Sequence, residues 1–257
     1  MQNAILITGA AKRIGRMIAL RLAGDGYDTI LHYHQSADDI KTLQQEIQAM
    51  GRSASLFQAN LLETRPLAES FKNHCMAHEI LPIGVINSAS SLQYDVFEDA
   101  TSDQFNHHFH INCCAPILLM QAAVKLRDMM ANQDCQLVFI NLLDFKLSNP
   151  APDYFTYSLS KFGLREAGLM LAKSLAHKNV RVCSISPGYS LPKAGQDQAE
   201  FDEIHKQTPL GYGVGVNEIA DSVIFILKTP SLTGQDIIID CGLRFRALNK
   251  DISFGIE

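Results

Sequence analysis

The sequence has no long apolar run and no strong excess of charge of either sign. It contains no stretch of about 18 apolar residues, the length that a membrane-spanning helix needs, so we predict no transmembrane helix. The 22 basic and 27 acidic residues are spread along the chain and give a net charge of −5, without a basic patch or an acidic tail. We therefore expect neither a membrane nor a nucleic acid as a partner.

Signals for export and for disulfide bonding are also missing. The start, MQNAILITGAAKR, has no basic leader and an apolar run of only four residues, so we expect no signal peptide. The six cysteines form no C-x-x-C pair, and the adjacent Cys113 and Cys114 cannot easily bridge each other. We interpret all six as reduced, mostly buried thiols and predict a cytoplasmic protein.

Short apolar runs alternate regularly with longer helical patterns. The runs that we predict as strands are 4–8, 28–34, 53–59, 83–89, 136–142, 180–186 and 236–240. The patterns that we predict as helices are 14–24, 37–50, 64–78, 103–131, 155–177 and 216–228. This alternation, with strands that are almost wholly apolar, predicts a Rossmann-type α/β fold. Its doubly wound parallel sheet has seven strands with helices on both faces, in one domain over residues 1–257.

The least regular segment, 187–215, follows the sixth predicted strand. Ligands bind at the carboxyl ends of the strands in such folds, and long irregular loops there are usually functional. We expect residues 189–215 to form a mobile substrate lid with one short helix. The alternative is an ordinary surface loop.

The segment TGAAKRIG, residues 8–15, links the first strand to the first helix. Such a turn presents backbone N–H groups and a helix N-terminus to an anion, usually a phosphate. Arg13 is unusual there, because a cation opposes the helix dipole unless an anion is bound. The second strand ends in HYHQS (32–36) without the acidic residue that NAD-selective sites use for the ribose 2′-OH, and the next acid is Asp38. With Lys12 nearby, this pattern predicts NADPH.

Tyr157 and Lys161 in YSLSK lie four residues apart, on one face of the helix predicted over 155–177. Such a pair is common by chance, but it belongs to an ordered set of motifs. The set comprises T-G-x-x-x-x-x-G at 8–15, NSAS at 87–90, Asn112, the Tyr/Lys pair and P-G at 187–188. Over essentially its whole length, the chain resembles the short-chain dehydrogenase/reductase family.

The resemblance implies roles for these residues. Tyr157 would be the acid or base that faces the reacting group, and Lys161 would hold the nicotinamide ribose and lower the tyrosine pKa through its charge. Asn112 would support a water and proton relay. The implied cofactor contacts are Gly9, Lys12, Arg13, Ile14, His34, Gln35, Ser36, Asn60, Leu61, Asn87, Ala89, Lys161, Pro187 and Gly188. Gln35 replaces the family's usual basic residue, and Asn60 replaces its usual aspartate near the adenine.

Asp144 stands thirteen residues before Tyr157, where most members of the family carry a serine. An ionised carboxylate repels a carbonyl oxygen and favours a substrate with N–H donors or a ring nitrogen that needs a proton. Together with Arg13 and LHYHQSA (31–37), it makes the chain similar to the pteridine reductase branch, which includes the dihydromonapterin reductases. In that branch the arginine reaches the cofactor phosphates and the pterin edge, and the aspartate acts on a pterin C=N bond. The alternative is a solvated residue at a strand end.

The resemblance implies a pterin-like substrate that contacts Arg13, Ser90, Leu92, Asp144, Tyr157 and Tyr189. Leu92 stands where pteridine reductases place an aromatic ring, and Tyr94 or Tyr189 could replace that ring. A reductase of another carbonyl or imine, such as a ketone or a 3-oxoacyl thioester, is the alternative enzyme. A non-catalytic binding protein of the same fold is the third hypothesis.

Two further patterns concern metal binding and assembly. The spacing of His107, His108 and His110 does not put three imidazoles on one helical face, so we predict no metal site. The helices over 103–131 and 155–177 are apolar on more than one face, which indicates a second partner. The resemblance assigns them to a dimer face and residues 236–257 to another contact, so we expect a homotetramer of D2 symmetry.

Overall fold

The computed structural model describes residues 1–130, 135–192, 195–246 and 249–252. Its seven strands form one sheet in the order β3-β2-β1-β4-β5-β6-β7, with every neighbouring pair parallel. The strands are β1 (Gln2–Ile7), β2 (Asp28–Tyr33), β3 (Ala54–Gln58), β4 (Ile80–Asn87), β5 (Leu137–Leu142), β6 (Val180–Pro187) and β7 (Asp236–Ile239). Each predicted strand overlaps one of these, and the doubly wound α/β fold is confirmed.

Eight α-helices occur in the described part of the chain. They are α1 (Arg13–Gly24), α2 (Ala37–Ala49), α3 (Thr64–Ala77), α4 (Ser102–Phe109), α5 (Ala115–Met129), α6 (Phe155–Leu175), α7 (Gln198–Lys206) and α8 (Val216–Lys228). Helix α7 is the short helix expected between β6 and α8. The six periodic patterns overlap the other seven helices.

The pattern at 103–131 corresponds to one continuous helical stretch, Ser102–Met129, but a π-helical turn interrupts it that the sequence did not predict. Residue 131 lies outside the described residues, and the rest divides into α4, a π-helical turn over His110–Cys114, and α5. Pro116 in the first turn of α5 has no N–H group, and its ring would clash with the carbonyl of Asn112 in a regular α-helix. A widened turn relieves that clash, and apolar periodicity does not register it.

The stretch Ser102–Met129 is long and apolar enough to cross a membrane by length and composition alone. Half of its most apolar window is buried inside the molecule, and α5 packs on α3 and β4. The apolar composition of this stretch is therefore explained by its packing in the protein core.

The sheet separates two apolar clusters. On β1, Ile5 and Ile7 pack into the cluster under α1, α2 and α8, whereas Ala4 and Leu6 pack into the cluster under α3, α5 and α6. Both faces of the sheet are therefore covered, which explains the almost wholly apolar strands. All six cysteines are free thiols, and half of them are buried.

The strand order places the carboxyl ends of β1 and β4 side by side at the centre of the sheet. From β1 the chain continues to β2 and β3 on one side, and from β4 it continues to β5, β6 and β7 on the other. The connecting loops therefore diverge above this point and leave a crevice, which is where open α/β sheets bind ligands.

Candidate active site

A cavity of about 460 Å³ lies at this crevice. Its walls come from the turn after β1, the loop after β4, the end of β5, one face of α6, the segment after β6, and the segment 249–252 near the C-terminus. The predicted site residues that line it are Gly9, Lys12, Arg13, Ile14, Ala89, Ser90, Leu92, Asp144, Tyr157, Lys161, Pro187, Gly188 and Tyr189.

Two glycines let the turn after β1 pack closely. Gly9 has a φ of +66°, and a Cβ on it would lie 3.0 Å from the Cα of Ala89. A Cβ on Gly15 would lie only 2.3 Å from the carbonyl oxygen of Gly9. Thr8 holds the opposite wall in place, because its Oγ1 accepts hydrogen bonds from the N–H groups of Ser88 and Ala89, each at 3.0 Å. Any side chain at Gly9 or Gly15 would therefore displace the neighbouring backbone.

The start of α1 has the properties of an anion site. Lys12 at the N-cap provides no side-chain acceptor, and the first turn carries no acidic residue, so the positive end of the helix dipole is uncompensated. Lys12 forms an exposed ion pair with Asp39 at 3.0 Å. Arg13, at a φ of +54°, crosses the cleft and donates to the carbonyl oxygen of Pro192 at 3.1 Å. These donors and the glycine cradle fit a bound phosphate group.

His32 supports this turn from below, a role that the sequence analysis missed. Its Nδ1 accepts a hydrogen bond from the N–H of Gly9 at 3.1 Å, so its proton is on Nε2, which donates to the carbonyl oxygen of Ala59 at 3.2 Å. Burial lowers the pKa of His32 to about 4, so the imidazole is neutral near pH 7. A histidine between apolar residues of β2 was the signal that could have identified it.

Other predicted cofactor contacts lie beyond the cavity wall, after β2 and β3. His34 and Gln35 are exposed, and Ser36 is the half-buried N-cap residue of α2. Asn60 uses its side chain within its own loop, where Oδ1 accepts from the N–H of Leu62 and Nδ2 donates to Glu63. Leu61 is buried.

Asn87 ends β4 beneath the cavity and is buried. Its Nδ2 donates to Asn141 Oδ1 at 2.8 Å. The roles proposed for Asn87 and for the residues after β2 and β3 stay predictions.

Tyr157, Asp144 and Lys161 come together at the end of β5. The hydroxyl of Tyr157 donates to Oδ2 of Asp144 at 2.8 Å. The other carboxylate oxygen of Asp144 accepts from the backbone N–H of Lys146 at 3.0 Å, which fixes its orientation. Lys161 Nζ donates to the carbonyl oxygen of Leu142 at 2.7 Å. The helical spacing of Tyr157 and Lys161 thus presents both groups to the strand end that carries Asp144.

The pKa of Tyr157 moves in the opposite direction to our expectation. Burial raises it well above its ordinary value, and the carboxylate of Asp144 raises it further. Burial lowers the pKa of Lys161 to about 8. Burial and the Asp144 carboxylate, which accepts the tyrosine hydroxyl, outweigh the lowering that we expected from the ammonium of Lys161. Tyr157 is therefore protonated near neutral pH, the form that donates a proton.

A buried ion pair between Lys146 and Asp251 forms another wall of the cavity. The Nζ of Lys146 also lies 4.2 Å from the ring centroid of Tyr154. Burial lowers the pKa of Lys146, but the nearby carboxylates, first Asp144 and then Asp251, outweigh burial and raise it. Asp251 donates its backbone N–H to Asp153 at 2.7 Å. Neither residue of the pair was predicted from the sequence, and no local pattern marks Asp251.

Asn112 lies in the π-helical turn and joins the loop after β4 to α6. Its Nδ2 donates to the carbonyl oxygen of Ser91 at 2.9 Å and to Ser160 Oγ at 3.0 Å. Its Oδ1 accepts from the N–H of Ser91 at 2.9 Å and from Ser90 Oγ at 3.2 Å. The side chain thus positions the loop, and its part in a proton relay stays a prediction.

Tyr189 is one of the two tyrosines proposed to replace the missing aromatic ring. It lines the cavity, packs against Phe201 of α7 with ring centroids 5.3 Å apart, and donates its hydroxyl proton to Gln196. Tyr94 instead packs edge-on against Tyr154. Residues 193–194 of the expected lid lie outside the described residues, and closure of this segment over a substrate stays a prediction.

Comparisons with known proteins find relatives over most of the chain. A family model described as enoyl-(acyl carrier protein) reductase matches residues 9–244. Pteridine reductase 1 of Leishmania tarentolae is 29% identical, over 92% of this chain and 94% of that protein. The 3-oxoacyl-[acyl-carrier-protein] reductase FabG of Aggregatibacter actinomycetemcomitans is 25% identical, over 95% of this chain and 100% of that protein.

A solved structure shows the same fold. FolM alternative dihydrofolate reductase 1 from Brucella suis, in complex with NADP, superposes with a TM-score of 0.86 at 27% identity and 95% coverage of both chains. The family model spans most of this chain, and the ordered motifs meet at one cleft. The chain therefore belongs to the short-chain dehydrogenase/reductase family of oxidoreductases.

Proposed function

We propose that the protein is an NADPH-dependent reductase of a pterin or dihydropterin C=N bond, of the pteridine, dihydromonapterin or dihydrofolate reductase type. The observation that carries this proposal is the hydrogen bond from Tyr157 to Asp144 in the cleft, since Asp144 replaces the family's serine. The names of the Leishmania and Brucella relatives support the same substrate class.

NADPH, when bound, supplies the hydride. The glycine-lined turn at 8–15 and the start of α1 would hold its diphosphate, and Lys12 and Arg13 would attract its 2′-phosphate. Lys161 would hold the nicotinamide ribose. The Brucella relative with bound NADP supports this choice of cofactor.

Tyr157 is the proton donor in this proposal. Its buried hydroxyl stays protonated beside Asp144, and it gives its proton to the substrate nitrogen as that nitrogen gains electron density. Lys161 supplies positive charge close to the tyrosinate that results, with Nζ 5.9 Å from the ring centroid. Asp144 orients the hydroxyl and accepts N–H groups of the substrate.

The charges around Tyr157 favour a pterin over a carbonyl substrate. Two carboxylates, Asp144 and Asp251, and the ammonium of Lys146 line this end of the cavity. They offer acceptors for ring N–H groups and a donor for a ring carbonyl. An apolar acyl chain would desolvate these charges without bonding them, and a ketone oxygen would gain negative charge beside Asp144.

A reductase of a carbonyl substrate is the second candidate. Leu92, which lines the cavity in place of an aromatic ring, and the similarity to the 3-oxoacyl reductase favour it. The assembled Tyr157, Asp144 and Lys161 argue against a purely non-catalytic protein.

The loss of NADPH absorbance with a panel of dihydropterins and a 3-oxoacyl thioester tests the proposal. We expect the parent enzyme to reduce a dihydropterin, and Tyr157→Phe to lose roughly 10²–10⁴ in kcat with a modest change in KM. Asp144→Ser should impair dihydropterin turnover and admit the carbonyl substrate. A parent enzyme that reduces only the thioester would contradict the proposal, as would an Asp144→Ser enzyme as fast on dihydropterins as the parent.

A further inference from the structure

Three buried side chains join the substrate loop, which we define as residues 88–95, to the start of α6. His108 of α4 and Thr156 of α6 are 0% exposed, and Asp95 of the loop is 3% exposed. His108 Nδ1 lies 2.7 Å from Thr156 Oγ1, which in turn donates to the carboxylate of Asp95. Asp95 also accepts the backbone N–H of Thr156 at 3.2 Å.

The hydrogen bonds determine where each proton lies. The backbone N–H of Gln93 donates to His108 Nε2 at 3.1 Å, so Nε2 carries no proton. The proton of a neutral imidazole is then on Nδ1, which donates to Thr156, and Thr156 donates to Asp95. Every bond in this chain runs in one direction and ends on a carboxylate. The arrangement requires His108 to be neutral.

The charged and titratable groups around His108 agree with a neutral ring. Asp95 faces it from the loop, His107 adjoins it on α4, and the Tyr157 ring of α6 packs edge-on with centroids 6.2 Å apart. Burial lowers the pKa of His108, the Asp95 carboxylate opposes that shift, and His107 adds to it, so the net change is downward.

Both ends of this network adjoin the active site. Gln93 directly follows Leu92, which lines the cavity together with Ser90 of the same loop. Thr156 directly precedes Tyr157, the proposed proton donor. His108 itself lies behind these residues, so any effect it has on binding acts through the loop.

We propose that His108 is a positioning residue, whose neutral ring couples the substrate loop to the helix that carries Tyr157 and whose protonation releases the loop at Gln93. A protonated ring has an N–H at both nitrogens, so the Gln93 N–H would face a donor instead of an acceptor. The loop would then lose its bond beside Leu92, and substrate would bind more weakly. This coupling applies to whichever substrate the enzyme reduces.

Hydrogen exchange at the Gln93 amide of the ligand-free protein tests the coupling without any substrate. The protection factor should fall about tenfold as the pH is lowered from about 7 through the range below histidine's ordinary pKa of about 6.5. His108→Gln places a non-titrating acceptor near the Nε2 position, and it should keep protection constant over this range. His74→Gln, on α3 beside Ser55, is the matched control and should show the parent profile.

Steady-state kinetics tests the consequence for binding, with NADPH and whichever of a dihydropterin or a 3-oxoacyl thioester the parent reduces. His108→Asn keeps a donor near the Nδ1 position and loses the acceptor for Gln93. Its KM should rise roughly fivefold at every pH, as expected for one lost hydrogen bond, with kcat changed less than about twofold. Thr156→Ser keeps the hydroxyl group and should have the parent KM and kcat. Thr156→Val lacks the hydroxyl group and should not have them.

Two results would overturn the coupling. One is a His108→Gln protein whose Gln93 protection still falls with pH as in the parent. The other is a folded His108→Asn enzyme with the parent KM. The hydrogen-exchange experiment tests the coupling even if the substrate panel reveals a different substrate class.

Discussion

Arg13 contributes to both walls of the cleft. It begins α1 with a backbone conformation that favours glycine, and its guanidinium bonds Pro192 of the segment after β6. No acidic residue of the first turn neutralises it, so its charge is available to a phosphate. Its presence in a tight turn is explained if an anion binds there.

We expect Arg13→Ala to lose much of the preference for NADPH over NADH. Removal of a charge-assisted hydrogen bond to phosphate costs roughly 1.5–3 kcal/mol, which is about tenfold or more in affinity. Fluorescence titration with both cofactors measures the change. Arg21→Ala, at the other end of α1 and paired with Asp221, is the control and should leave the ratio unchanged. Equal kcat/KM for the two cofactors in the parent would contradict the assigned preference.

His32 makes the stability of the protein depend on pH. Its pKa is about 4 in the folded protein and about 6.5 when unfolded, so only the unfolded state binds the proton between these values. The free energy of unfolding should therefore fall by about 3 kcal/mol as the pH drops from 6.5 to 4. His32→Asn keeps an acceptor for the Gly9 N–H and should remove this part of the slope.

Urea unfolding of both proteins across this range measures the His32 effect. His74, whose pKa burial also lowers to about 4, adds a slope of the same sign in both proteins and cancels in the comparison. Parallel pH profiles for the parent and His32→Asn would show that His32 carries no such linkage.

Helix α1 shows how one element serves the site at one end only. Gly15 in its first turn has no room for a Cβ, because the Gly9 carbonyl oxygen would lie 2.3 Å away, whereas a Cβ on Gly24 in its last turn would meet nothing within 4 Å. Gly15→Ala should destabilise the protein by about 2 kcal/mol and weaken cofactor binding. Gly24→Ala should stabilise it by about 0.5–1 kcal/mol and leave binding unchanged.

Thermal unfolding with and without NADPH compares these two variants. A Gly15→Ala protein with the melting temperature and cofactor affinity of the parent would mean that the turn is looser than the structure shows.

The molecule as a whole retains apolar surface on its long helices. Leu169 and Met170 of α6 and Met129 of α5 are exposed, and Met170 is 71% exposed. Phe225 of α8 and Phe245 after β7 are also exposed, and the tail 253–257 lies outside the described residues. Large apolar side chains at such positions indicate contacts between subunits.

We therefore predict a homotetramer, with α5 and α6 in one interface and the region around β7 and α8 in another. Light scattering should give four times the mass of one chain at micromolar concentration, and the double variant Leu169→Lys with Met170→Lys should give a smaller species. Met50→Lys changes an exposed methionine that directly follows α2 and should keep the parent mass. A monomer mass for the parent would rule out this assembly. The cytoplasmic location stays a prediction.

Local patterns in the sequence were sufficient for the sheet, most of the helices and the glycine-lined turn after β1. Strands show as apolar runs, helices as a period of 3.6, and Tyr157 with Lys161 as a spacing of four, because each depends on backbone geometry over a few residues. Asp144 stood out for the same reason, by its distance from Tyr157 along the chain.

Only the tertiary structure decided how the charges of the site meet. Lys146 bonds Asp251, His32 bonds Gly9, and His108 bonds Gln93 and Thr156, although these partners lie far apart in sequence. The raised pKa of Tyr157 has the same origin, since it depends on burial and on the carboxylate that packing brings to its hydroxyl. Burial and long-range partners arise only when distant segments pack together, so local patterns carry no record of them.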